Sequence, residues 1–200
     1  MPAVPERFVR HPLARLGLFD EEYVMPDRFQ LTDTLLDQVD LSTFRSVMGS
    51  LPTGVSVVTS TAADGEPRGL TCSAVCSVSA SPPLLLVCVK HPSATLEAIH
   101  ASSAFAVNFL SSGMAETART FASPVPERFA DVLWRPGERT GAPVLEATVA
   151  SAECVVTSSH LAGDHQVVIG RLVHGEVNTS RTPLAYWRAQ FSEIRAQPAA

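Results

Sequence analysis

Two hundred residues, 46% hydrophobic and 18% charged, suit one globular domain, large enough to bury about 70% of its unfolded surface. A formal charge of -5 with no block of lysine or arginine argues against nucleic acid, whose phosphates call for a basic stripe. Cys72, Cys76, Cys88 and Cys154 lie in or beside apolar runs, without CxxC pairs or zinc spacing, so they are expected as small buried hydrophobes of a reducing cytoplasm, with no disulfides. No basic-then-apolar leader opens the chain and no apolar run approaches about 18 residues, so neither export nor a membrane anchor is expected.

Residues 1–40 read as an arm with prolines at 2, 5, 12 and 26, closing on a short amphipathic helix in RFQLTDTLLDQVD. A second helix is expected in LSTFRSVMGSL, with Ser42 as its cap and Leu41, Phe44, Val47, Met48 and Leu51 at helical spacing, ended by Pro52 and Gly54. The period then changes. GVSVVTST and RGLTCSAVCSVSA, joined at Asp64-Gly65, read as the two arms of a hairpin. A buried strand over 82–90, a helix over 93–102 capped by Ser93, a strand over 104–110 and a helix over 113–122 follow. After the proline-rich SPVPERF come two long strands joined at AGD, then a terminal strand in PLAYWR. The whole reads as a mostly β domain over 41–190, a sheet with short helices long enough to close into a barrel, followed by a tail over 191–200.

Several chemistries lack their motifs. There is no G-x-G-x-x-G, no G-K-[ST] and no G-x-S-x-G, which removes the usual dinucleotide helix start, the phosphate loop and the nucleophile elbow. Asp164-His165 could serve a distant serine, and His160 with His165 could be imagined around a metal, but no carboxylate cluster accompanies them and no metal is expected. The positive signal is the run Thr71, Ser73, Ser77, Ser79, Ser81 leading into PPLLLVCVK. Small hydroxylated side chains expose backbone N–H and C=O groups to the edge of a flat ring, while hydroxyls reach a sugar or phosphate. The helix starting at Ser93, with Lys90 and Thr95 beside it, could take that phosphate. Hydroxyls on the solvent face of an ordinary strand, and a serine that only caps, explain the same residues equally simply.

FRSVMGSLPTGVSVVT, GLTCSAVCSVSASPPLLLVCV, FAVNFL, ARTFA, AECVV and AGDHQVVIGRL, in this order and spacing, resemble the flavin reductase family of the FMN-binding split-barrel fold, over about residues 43–188. These are the reductase components of two-component flavin-dependent monooxygenases. The resemblance implies a six-stranded antiparallel split β-barrel and a homodimer that reduces FMN or FAD with NADH or NADPH and passes reduced flavin to a partner monooxygenase. By position it implies that Pro52, Thr53 and Gly54 form a turn near the flavin. Thr71, Cys72, Ser73 and Ala74 then run along the isoalloxazine edge, Ser77, Val78 and Ser79 serve the ribityl chain and phosphate, and Ser93 with Thr95 follows on the phosphate side. Phe121 and Ala122 match an element packed near the cofactor. His165 matches a nicotinamide-side contact, so the one residue assigned to catalysis is a positioning group. Gly163 gives its turn freedom and Asp164 holds its tautomer. Two other readings are a pyridoxamine-phosphate-oxidase-like oxidase, with Arg119, Arg128 and Arg135 gathering a substrate phosphate, and a flavin-storage protein inert to NADH.

Overall fold

The computed structural model describes residues 38–194. The arm and most of the helix expected in RFQLTDTLLDQVD lie outside them, and residues 38–40 carry no regular structure. Helix α1 (Leu41–Gly49) follows. Ser42 lies inside its first turn rather than capping it, and its carbonyl accepts from Ser46 Oγ at 2.8 Å. None of its residues is buried, so the apolar face read from the sequence has no cover within the described chain.

The body then runs β1 (Thr53–Gly54), β2 (Ser56–Thr61), β3 (Pro67–Cys72), β4 (Val75–Ala80), β5 (Pro83–Lys90), α2 (Ala94–Ser102) and β6 (Ala104–Phe109). A single 3-10 turn leads into α3 (Ala115–Ala122), followed by β7 (Trp134–Pro136), β8 (Pro143–Leu145), β9 (Ala150–Ala162), β10 (His165–Val177), β11 (Leu184–Trp187) and β12 (Gln190–Glu193). The mostly β class with short helices holds. β12 carries the body past residue 190, where the tail was expected to start, and β7 and β8 fill what read as an irregular connection.

The main sheet has seven strands, not six, in the order β3-β2-β6-β9-β10-β5-β4. Its two edge strands, β3 and β4, are consecutive in the chain, with only Ser73 and Ala74 between them. Three residue steps reach at most roughly 10 Å, whereas six strand spacings of a flat sheet span about 29 Å. The sheet therefore has to roll up. Cys88 N–H of β5 donates to the Ala74 carbonyl at 3.0 Å and Cys72 Sγ of β3 donates to the Cys88 carbonyl at 3.5 Å, tying edge strand β3 and the corner to the strand next to the other edge.

This corrects the expected hairpin. β3 pairs with β2, from Ser56↔Cys72 to Thr61↔Pro67, but β4 turns away and pairs with β5. The break falls between two small residues with no glycine or proline to mark it, so only closure of the barrel exposes it.

Two apolar layers follow from the alternation of strand side chains. Inside the roll, Val58, Val87, Val89, Phe105, Val107 and Val168 pack with Leu96 and Ile99 of α2, which plugs one end. Outside, Val55 and Val57 of the β2 region pack with Ala118 and Phe121 of α3, Leu145 and Leu184. No described helix is long and apolar enough to cross a membrane. All four cysteines are unpaired. Cys72 and Cys154 are buried as expected, but Cys76 is exposed because β4 is an edge strand.

Candidate functional site

Alternation along β3 decides which side chains meet a ligand. Leu70 and Cys72 point into the barrel interior, so Gly69, Thr71 and Ser73 fall on the outer face, beneath α3. Gly69 is needed there because a β-carbon would come within 2.8 Å of the Phe121 ring. Past Gly69 the floor opens into a cleft of about 690 Å³, within the roughly 300–1,000 Å³ usual for small-molecule sites. Val55, Thr71 and Ser73 form the floor, Ala118, Arg119 and Ala122 one wall, and Tyr186, Ala189, Gln190 and Phe191 of the β11–β12 hairpin the other.

Local interactions hold both walls. Thr71 Oγ1 donates to the Ala118 carbonyl of α3 at 2.6 Å. Arg128 donates to the carbonyls of Gly69 at 2.7 Å and Ser123 at 2.6 Å, tying the loop after α3 to β3. Phe121 meets Phe129 edge-on at 4.9 Å. The opposite wall stands on Thr53↔Tyr186 and Gly54↔Ala185, so Thr53 and Gly54 are strand residues at the cleft's edge rather than a turn. Arg188 and Ala189, at the tip, hold φ of 48° and 61°. Arg188 N–H donates to the Gly49 carbonyl at 3.0 Å and Trp187 Nε1 to the Ser50 carbonyl at 3.1 Å, which anchor the tip. Arg119 pairs with Glu116 at 2.8 Å and lies 5.1 Å above the Phe191 ring.

The residues expected from the sequence separate into groups. Thr71, Ser73 and Ala122 meet in the cleft, with Pro52, Thr53 and Gly54 leading to Val55 at its floor. Cys72, Phe121 and Thr95 are enclosed, at 5%, 1% and 2% exposure. Burial pushes the Cys72 thiol up to about 11, so it is a neutral packing group whose carbonyl is already taken by Ser56 Oγ at 2.6 Å. Ser77 and Val78 are exposed on edge strand β4, at a bulge between Ser77 and Ser79. Ser79 Oγ accepts from Ser81 N–H at 3.2 Å, a local turn bond.

A third group gathers at the barrel rim. His165 pairs across β10–β5 with Lys90, and His91 N–H donates to the Asp164 carbonyl at 2.9 Å. That bond brings the β9–β10 turn beside Ser93, whose Oγ accepts from Leu96 N–H at 3.3 Å as the cap of α2. Gly163 holds φ of 62°, the first central residue of a two-residue turn, where glycine is favoured. His165 Nδ1 lies 2.8 Å from Asp164 Oδ1, leaving Nε2 for a ligand. The hydrogen bond from His165, followed by its charge, holds the Asp164 carboxyl below the usual carboxylate range. Strand order β10-β5-β4 puts His165 two strand spacings from the Ser73–Ala74 corner, about 10 Å across the sheet. No described serine hydrogen-bonds the imidazole.

Sequence reasoning missed the β11–β12 wall. Tyr186 and Phe191 are cross-strand partners with ring centroids 5.3 Å apart. Their signal was two short aromatic segments flanking Arg188-Ala189, of which the first reads as a terminal strand and Phe191 as part of the tail.

The chain is similar to known proteins over most of its length. The family model described as "Flavin reductase like domain" matches residues 48–195. "Flavin reductase (NADH)" of Kitasatospora aureofaciens is 52% identical over 156 residues, covering 77% of this chain and 82% of that protein. "Flavin-dependent monooxygenase, reductase subunit HsaB" of Mycobacterium tuberculosis is 38% identical, covering 80% and 86%. The solved NADH:FAD oxidoreductase SgcE6 of Streptomyces globisporus, in complex with NAD and FAD fragments, superposes with a TM-score of 0.75 at 36% identity, covering 83% of this chain and 98% of that one. A family model spanning most of the chain, a relative 52% identical over 156 aligned residues and a matching barrel converge on one assignment: this chain belongs to the flavin reductase like domain family.

Proposed function

We infer that this chain is an NAD(P)H-dependent flavin reductase, which moves a hydride from NADH or NADPH to FMN or FAD and supplies reduced flavin to a partner monooxygenase. The observation that carries the reading is the cleft on the outer face of β3. It has an apolar lining from Val55, Ala118, Ala122 and Phe191 and a polar edge from Thr71, Ser73 and Gln190, which suits a flat ring system with polar atoms on one edge. When bound, the flavin supplies the hydride acceptor, so the protein needs no nucleophile of its own. Thr71 and Ser73 orient the ring, the β11–β12 wall keeps water off one side, and His165 positions the nicotinamide through its free Nε2. Ser77, Val78 and Ser79 on β4, with Lys90 and Ser93 at the rim, serve the flavin's chain and phosphate. The backbone of Cys72 and Ala74 shapes the corner between the two groups.

The oxidase reading needs three arginines converging on a phosphate. Here Arg128 is committed to two backbone carbonyls and Arg135 to Glu176, and only Arg119 lines the cleft. The chain acts as a homodimer in this reading, supported by the exposed Leu41, Phe44, Val47, Met48 and Leu51 of the α1 segment, a face that association would cover. A cytoplasmic location is part of this reading, supported by four unpaired thiols, which suit a reducing compartment.

One cuvette tests the activity: purified protein, NADH or NADPH and excess FMN or FAD, followed at the nicotinamide absorbance band. Sustained turnover is expected, whereas bleaching limited to one equivalent identifies a storage protein. Sedimentation showing a folded monomer at working concentration would remove the dimer.

A further inference from the structure

Thr71 sits on the cleft floor with its only hydroxyl hydrogen committed. Its Oγ1 is 2.6 Å from the Ala118 carbonyl oxygen, and because a carbonyl can only accept, the hydroxyl must donate. What it can offer a ligand in the cleft it lines is therefore lone pairs alone. Two backbone acceptors between it and β5 are already engaged: the Cys72 carbonyl takes Ser56 Oγ at 2.6 Å, and the Ala74 carbonyl takes Cys88 N–H at 3.0 Å. The other polar groups lining the cleft behave differently. Ser73, Tyr186 and Gln190 can each donate or accept, and Arg119 only donates. Among the polar side chains that line the cleft, Thr71 is the fixed acceptor.

We propose that Thr71 is the residue by which the cleft distinguishes reduced from oxidised flavin, accepting a hydrogen bond from an N–H that only the reduced ring carries. The proposal rests on the flavin reductase reading. Hydride transfer breaks the C4–H bond of the nicotinamide and forms an N5–H bond on the flavin. Both electrons travel with the hydrogen, so the nicotinamide is oxidised, the flavin becomes its reduced anion, and no further proton is required. N5 thereby changes from an acceptor to a donor. A hydroxyl free to rotate would serve both states and discriminate between neither. Bonded to Ala118, Thr71 opposes the oxidised ring and matches the reduced one, which favours the product and holds it until it is passed on.

The test is the ratio of dissociation constants for oxidised and reduced flavin, measured anaerobically by equilibrium binding, for the wild type, Thr71→Val and Thr71→Ser. Thr71→Val should lose about ten-fold in affinity for the reduced form relative to the oxidised form, equivalent to lowering the two-electron potential of the bound flavin by about 30 mV. Thr71→Ser, which keeps the hydroxyl, should restore the wild-type ratio. Loosening α3 affects both states alike and cancels from the ratio. An equal loss in both states, or no change in the ratio, overturns the proposal. Thr71→Ala is read in the same way should the valine variant not fold. A wild-type protein that binds no flavin overturns the flavin reductase reading itself. That failure is distinct from one in which flavin binds and is reduced but ignores Thr71.

Discussion

Two polar regions on the outer surface of the same barrel behave in opposite ways. Under the β7–β8 hairpin, Glu153 is 1% exposed and accepts from the backbone N–H groups of Glu138, Arg139 and Thr140 and from Thr140 Oγ1, at 2.8 to 3.0 Å. Beside it, Asn108 donates to the Val57 carbonyl and Thr59 Oγ1 and accepts from Leu145 N–H. Both side chains are fully engaged. In the cleft on β3, by contrast, Ser73 is exposed with no partner among the described residues, and Thr71, lining the cleft, accepts a side-chain hydrogen bond from no described group. A buried polar group whose hydrogen bonds are complete stabilises the fold, whereas polar groups held open in a concave site leave their hydrogen bonds for a ligand. The amount of polarity does not separate the two regions; its satisfaction does.

The largest expected effect lies in the closed region. Glu153→Gln cannot accept from four donors and turns an NH₂ toward them, so it should cost about 3 kcal/mol of stability while leaving flavin affinity unchanged, as thermal melting and flavin titration would show. Burial by itself raises the Glu153 carboxyl, but the bonds from Thr140, Arg139 and Glu138 outweigh it and hold the group below the usual carboxylate range. Its contribution is therefore present above the unfolded value of about 4.3 and disappears as pH falls through the lower folded value. The wild type should lose stability in that acid window, and Glu153→Gln should lose less of it.

Next come the open residues, where function should change and stability should not. His165→Ala should raise the KM for NAD(P)H or slow hydride transfer by about ten-fold. Melting temperature and flavin affinity should hold, since the side chain is 44% exposed. Joint loss of flavin and nicotinamide binding would show that the rim and the cleft are one site. Ser73→Ala should weaken flavin binding by about five- to ten-fold at constant melting temperature; a drop in melting temperature instead would make Ser73 part of the sheet.

The smallest effect sharpens the comparison at its boundary. Ala189 lines the cleft at φ 61°, so Ala189→Gly should relieve backbone strain and add about 0.5 to 1 kcal/mol of stability. If that gain comes with weaker flavin binding, the strained tip holds the wall in its working position.

Much of this was legible in the chain. Alternation and β-branched residues marked β2, β6, β9 and β10, helical spacing marked α2 and α3, and Gly163-Asp164 marked the turn that presents His165. Each of these depends on residues within about ten positions of one another, where period and turn chemistry act directly. The break at Ser73–Ala74 was not legible, because nothing local requires it: the strand pattern runs through, and only the need to join two sheet edges bends the chain there. Closure also decided that Leu70 and Cys72 face inward while Thr71 and Ser73 face α3, that Thr95 and Phe121 are enclosed, and that the β11–β12 hairpin, over a hundred residues downstream of β3, forms the opposite wall. The sequence by itself determined most of the long strands and the helices and which residues were polar enough to bind, but not the short strands β7, β8 and β12 or the break between β3 and β4. Which of those residues were satisfied internally and which were left open depended on long-range pairing, and hydrogen-bond partners brought together from distant segments exist only once the barrel has closed.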